Sequence, residues 1–128
     1  MSGSEAEISV VVVNWNRKDL LRCCLESLAA QRGASFRVVI VDNASTDGSV
    51  EMAGEEFLGR RRLELQLIVN TRNLGFCAAN NQGIAASRSP FVALLNNDAE
   101  AGPDWLAALR SAFEGAPRVG MAASKILK

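Results

Sequence analysis

Phe91-Val92-Ala93-Leu94-Leu95-Asn96-Asn97-Asp98 is the stretch from which the fold of this chain is read. Five apolar residues run without a break into three polar ones. Such a run predicts a strand buried on both faces of a parallel sheet, and strands of that kind present functional groups at their carboxyl ends. Asp98 would then stand on a rigid support, where a carboxylate can hold a divalent cation. Asn and Asp are also favoured turn formers, so the same letters suit a strand closed by a polar turn with no ligand. The rest of the chain decides between the two.

Two upstream runs have the same form. Ile8-Ser9-Val10-Val11-Val12-Val13 ends at Asn14-Trp15-Asn16, and Arg37-Val38-Val39-Ile40-Val41 ends at Asp42-Asn43. Both predict buried parallel strands. Leu63 to Val69 alternates at first, which predicts a strand nearer the edge with one wet face. Helical spacing fills the gaps. Asp19 to about Ala30 carries Leu20, Leu21, Cys24, Leu25 and Leu28, with Gly33 just beyond. The turn Ala44 to Ser49, with Asp47 and hydroxyls available as caps, leads into a helix reaching about Leu58. Its packing side is Val50, Met52, Ala53 and Phe57, and Gly59 ends it. Asn70 to Gly75 is a polar loop, and Phe76 to Ser87 is an Ala- and Asn-rich helix. Pro103 opens a last helix through Trp105, Leu106, Leu109 and Phe113, stopped by Gly115 and Pro117. Val119 to Ala123 predicts a final short strand.

This alternation predicts an α/β fold with a mostly parallel, doubly wound sheet flanked by helices. Right-handed crossovers carry the sheet outward through strand three; a return to the middle sets the Phe91 strand beside strand one. The order reverses there and a crevice opens between the carboxyl ends. Asn14-Trp15-Asn16 and Asn96-Asn97-Asp98 flank it, with Asp42 next door. Three polar strand ends meeting at one crevice are the main physical argument for a ligand site.

Composition narrows the chemistry. A chain of 128 residues fits one domain. Residues 1–7 predict a disordered lead-in without the basic and apolar blocks of a signal peptide, and residues 8–128 the domain. Acidic and basic residues balance at 14 each, which gives no bulk-charge signal for nucleic acid. The apolar runs are too short to span a bilayer. Cys23, Cys24 and Cys77 form neither a disulfide framework nor a metal motif, and predict packing in a reducing compartment. The absence of histidine excludes Ser-His-Asp triads and His-containing zinc sites within the chain. Arg60-Arg61-Arg62 predicts a solvated helix end, with contact to acidic lipid as the sharper alternative.

No glycine-rich dinucleotide motif follows strand one, and no P-loop is present. Phosphates would instead be neutralised by Mg²⁺ or Mn²⁺ at Asp98. Asp42 is then the candidate that reads a base edge by accepting an N–H. Trp15, at the crevice mouth, suits base stacking or plain packing. Asn80 and Asn81 occupy a predicted helix interior, where Asn is disfavoured; two in a row suggest a constraint or one amide facing water, and Asn80 is the functional candidate.

Four stretches in order are familiar. They are Val11-Val12-Val13-Asn14-Trp15-Asn16; Val39 to Ser49; Asn73 to Gly83; and Leu94-Leu95-Asn96-Asn97-Asp98. Together they cover nearly the whole chain, which resembles the amino-terminal part of family 2 glycosyltransferases, in the branch labelled rhamnosyltransferase-like. The resemblance implies the GT-A fold with its carboxy-terminal part outside this segment. It implies a nucleotide-diphosphate sugar donor (UDP-, dTDP- or GDP-linked), a saccharide or lipid-linked acceptor, transfer with inversion, and a cytoplasmic place at most peripheral to a membrane. It implies that Asp42 contacts the base and that Val13 and Trp15 line the base pocket. Asn73, Gly75 and Asn80 fall on the donor side. Asp98 matches the last residue of the metal-binding Asp-x-Asp motif, which reads Asn96-Asn97-Asp98 here, so an amide replaces the first carboxylate. The general base is expected outside this segment. The alternative is a non-catalytic module that binds a nucleotide or nucleotide sugar.

Overall fold

The computed structural model describes residues 6–58 and 63–114. Strands β1 (Ile8–Asn14), β2 (Phe36–Asp42), β3 (Leu65–Val69) and β4 (Phe91–Leu94) form one parallel sheet in the order β3-β2-β1-β4. The reversal of strand order therefore falls between β1 and β4, as the alternation predicted. Helices α1 (Lys18–Ala29), α2 (Ser49–Ala53), α3 (Phe76–Ala86) and α4 (Trp105–Glu114) connect and flank the strands. A short π-helical segment, Gly54–Leu58, continues α2. The expected single helix to Leu58 thus changes its winding midway.

The two faces differ in depth. On one face Val10, Val12, Val38 and Ile40 pack with Leu21, Leu25, Leu28 and Phe57, and Leu106 of α4 joins them. On the other, Val11, Val39 and Val41 meet Ala79 of α3. β1 presents apolar side chains to both, with Val10, Val11 and Val12 fully buried. This is the burial expected of a central parallel strand.

The opening stretch behaves differently from its expectation. β4 pairs with β1 alone among the described residues, so it is the sheet edge there. Phe91, Ala93 and Leu95 pack into the larger core, while Val92 and Leu94 are 39% and 53% exposed. Among the described residues α3 packs over β1 and β2 rather than over β4, which fits the exposure of Val92 and Leu94.

Smaller corrections follow from packing. Leu20, assigned to the packing side of α1, is exposed, whereas Cys24 is buried and Cys23 is not. The lead-in is ordered at its end: Ala6 is buried, and the Glu7 carboxylate pairs with Arg110 at 3.0 Å. Pro103 precedes α4 rather than opening it; the first helical bond runs from Ala108 N–H to the Asp104 carbonyl. Arg60-Arg61-Arg62, the Phe113 side chain, the stop at Gly115 and Pro117 and the strand at Val119–Ala123 lie outside the described residues.

Candidate functional site

A cleft of about 480 Å³ opens at the carboxyl ends of β1, β2 and β4. Val13 and Trp15 line it from the end of β1, Asn96, Asn97 and Asp98 from the end of β4, and Asn73 and Gly75 from the loop before α3. These are seven of the predicted site residues, brought together from three separate parts of the chain. Arg17, Asn43 and Phe76 line it as well, and the sequence reading missed them.

Beneath the cleft runs a chain of hydrogen bonds linking all three strand ends. Asn14 and Asp42 are register partners on adjacent strands, so their side chains share a face. Asn14 Nδ2–H donates to Asp42 Oδ1 at 3.0 Å, and Asn97 Nδ2–H donates to Asn14 Oδ1 at 2.9 Å. Ser45 completes the shell, donating from its backbone N–H and its hydroxyl to the Asp42 carboxylate, each at 2.8 Å. Its Oγ accepts from the Asn16 backbone N–H, also at 2.8 Å. A buried carboxylate persists only when its lone pairs are satisfied, and here they are.

That arrangement sets Asp42 below the cleft wall. It is 1% exposed and does not line the cleft. Its carboxylate ties β1, β2 and the following turn together. The neighbouring Asn43 lines the cleft instead. Its amide donates to the Gly75 carbonyl at 3.2 Å and accepts from Asn70 Nδ2 at 3.0 Å, pinning the 70–75 loop to β2. Asn80 is buried on the sheet side of α3 with Ala79 and Gly83 and does not line the cleft, while Asn81 is exposed.

The backbone is shaped for this gathering. Asn16 (φ 48°) and Ala44 (φ 66°) take left-handed conformations at the ends of β1 and β2. Asn tolerates that region; alanine does so at a cost of about 1 kcal/mol. Gly75, at φ 87°, starts α3 where a side chain would be strained. Asp47 caps two helices: it accepts the Ser49 N–H beside α2 and, at 2.9 Å, the Lys18 N–H at the start of α1. Burial pulls its pKa upward, but the hydrogen bonds from Ser49 and Lys18 prevail and hold the carboxyl below its ordinary value.

At the β4 end, the Ala99 N–H closes a turn on the Asn96 carbonyl at 3.0 Å, which leaves the Asp98 side chain exposed on the cleft wall. Cys24 lies behind this turn, its thiol donating to the Asn96 carbonyl at 3.8 Å. Burial, together with the negative charges of Asp98 and Glu100, pushes that thiol up to about 12, so it stays protonated and inert near neutral pH. Among the described residues no three Cys, Asp or Glu side chains gather into a cation cage. Asp98 is the carboxylate that lines the cleft. One carboxylate beside an open cavity fits Mg²⁺ or Mn²⁺, which habitually take one or two carboxylates and complete their shell with substrate phosphates and water.

The geometry finds its counterpart in known proteins. Residues 9–126 match the model of "Glycosyl transferase family 2". The succinoglycan biosynthesis protein ExoO of Rhizobium meliloti is 34% identical over 100 residues, which are 78% of this chain and 28% of ExoO. The S. aureus TarS 1–349 structure in complex with UDP-GlcNAc superposes with a TM-score of 0.78 at 24% identity, covering 85% of this chain and 31% of that one. The mannosyltransferase PcManGT of Pyrobaculum calidifontis, in complex with GDP-Man and Mn²⁺, gives 0.70 at 25% identity over 77% of this chain and 29% of its own. The chain spans no more than about a third of the length of the curated relatives it matches. Its fold is that of the GT-A neighbours, and the chain belongs to glycosyl transferase family 2.

Proposed function

We propose that the cleft binds the nucleotide diphosphate of a sugar donor, as the donor-binding part of a glycosyltransferase. The observation that carries this reading is the convergence of Trp15, Asn97, Asp98 and the Asn73–Phe76 segment on one cavity at the strand-order reversal. Trp15 and Phe76 line the cleft and are 51% and 58% exposed, and aromatics so placed suit stacking against a base. Asp42 remains the proposed contact to the base edge, and the adjoining Asn43 fixes the 70–75 loop beside it. Asn97 is held in one orientation by Asn14, which places a fixed amide beside Asp98.

Asp98 would hold Mn²⁺ or Mg²⁺, with Asn96 as a neutral neighbour. Bound there, the cation would stabilise the negative charge of the departing diphosphate. PcManGT, bound to GDP-Man and Mn²⁺, supports this reading by kinship. This chain's own contribution is to bind and orient the nucleotide and to exclude water from one side of the diphosphate. Inversion at the sugar carbon needs a base to take the acceptor's proton. We assign that base outside residues 6–114, since Asp98 is the one carboxylate among the described residues that lines the cleft. The same observation favours a second reading, in which these residues bind a nucleotide sugar but do not transfer it alone. The rhamnosyltransferase-like branch is our finer assignment, on the Asn14-Trp15-Asn16 and Asn96-Asn97-Asp98 signatures. No helix among the described residues is long and apolar enough to cross a membrane. A cytoplasmic place for the donor site is part of the proposal.

The test is a thermal-shift panel of UDP, dTDP and GDP with and without Mn²⁺, run on the wild type and on Asp98→Ala. One diphosphate should raise the midpoint in a Mn²⁺-dependent way, and the variant should lose that dependence. An Asp98→Ala chain that keeps the full metal-dependent shift refutes the metal assignment. A wild type indifferent to every diphosphate refutes the donor site.

A further inference from the structure

We infer that Arg17 is a diphosphate-binding residue of the cleft, which supplies positive charge on the protein side where the Asn96-Asn97-Asp98 signature offers one carboxylate. The inference rests on the donor-site reading above and deepens it. Arg17 lines the same cavity as Trp15, Asn97 and Asp98. The left-handed Asn16 turns the chain between Trp15 and Arg17, and both of those residues reach the cleft.

Among the described residues Arg17 is the cation that lines the cleft, while several others are paired with carboxylates. Arg22 pairs with Glu56 and Asp19, Arg32 with Asp104, and Arg110 with Glu7. The Arg17 guanidinium is exposed and makes no hydrogen bond or ion pair to another described residue. At the start of helix α1 the Lys18 N–H is taken by Asp47, which brings a negative charge to that helix end and makes it less favourable to an anion. The side chain is therefore the positive group that this wall offers.

Charge decides what such a group would bind. Arg17 and Asp98 carry opposite formal charges on the cleft wall. A divalent cation on Asp98 makes the cleft doubly positive, which matches the doubly anionic diphosphate of a nucleotide sugar. A second carboxylate at position 96 would have removed part of that excess. The planar guanidinium fork suits two phosphate oxygens at once, and lysine would act only as a point charge.

The experiment is calorimetric titration of the wild type, Arg17→Ala and Arg17→Lys with UDP, dTDP and GDP and with the matching nucleosides, with and without Mn²⁺. Arg17→Ala should weaken the preferred diphosphate by about tenfold or more, the scale of a charge-assisted hydrogen bond, and leave its nucleoside within about twofold. Arg17→Lys should recover part of the loss. Diphosphate affinity in Arg17→Ala within about twofold of wild type overturns the inference alone. Equal loss of nucleoside and diphosphate also overturns it, because a displaced loop would do that. A wild type that favours no diphosphate over its nucleoside refutes the donor-site reading, and this inference falls with it.

Discussion

Replacing Gly83 by alanine tests how the cleft wall is set. Gly83 is buried on the sheet side of α3. A Cβ built there falls 2.3 Å from Val11 Cγ1 and 3.2 Å from Val11 Cγ2. Val11 cannot easily yield. It is fully buried in the central strand, β-branched and stiff at χ1, with Val39, Val41 and Ala79 filling the same face. The helix must lift or Val11 must leave its rotamer. Overpacking of this kind costs about 1–3 kcal/mol, while Gly→Ala in a helix returns about 1 kcal/mol of propensity. Net destabilisation of up to roughly 2 kcal/mol is expected. Denaturant unfolding at constant temperature measures it. Because α3 begins at Phe76 on the cleft wall, nucleotide affinity should fall in the same variant. The double variant Val11→Ala/Gly83→Ala should be more stable than the sum of its singles predicts, since the truncated strand residue makes room. If Gly83→Ala alone is the more stable protein by about 1 kcal/mol, propensity governs and the packing argument is wrong.

Two further outcomes test the network under the cleft. Asn14→Ala removes the amide between Asp42 and Asn97 and leaves a buried carboxylate short of a donor. It should cost about 2–4 kcal/mol in denaturant unfolding and weaken nucleotide binding, and a change under 0.5 kcal/mol would refute the network. Asp47 gives a pH signature: hydrogen bonds depress its folded pKa below the unfolded value, so its contribution is complete above the unfolded value and is lost as pH falls through the folded one. The wild type should therefore lose stability more steeply below about pH 4 than Asp47→Asn. Identical slopes in acid would show that Asp47 does not cap as drawn.

Much of the architecture was legible from the letters because its causes are local. Apolar runs at Val10–Val13 and Val38–Val41 fit a buried strand, the spacing of Leu21, Cys24, Leu25 and Leu28 fits one helix face, and right-handed crossovers leave few ways to order the strands. The polar strand ends, and hence the place of the cleft, follow from that order. Tertiary structure alone decided which polar side chain faces the cavity. Asp42 and Asn43 are adjacent and both buried, yet the register pairs Asp42 with Asn14 while Asn43 touches the cavity and holds the 70–75 loop. It also decided that β4 has an open face, since the apolar letters of Val92 and Leu94 do not say whether a helix covers them. The exposed Arg17 and Phe76 gain their meaning from neighbours far along the chain. Local sequence sets which conformations a segment favours. The direction of a side chain beyond the end of a strand depends on what the rest of the chain packs against it.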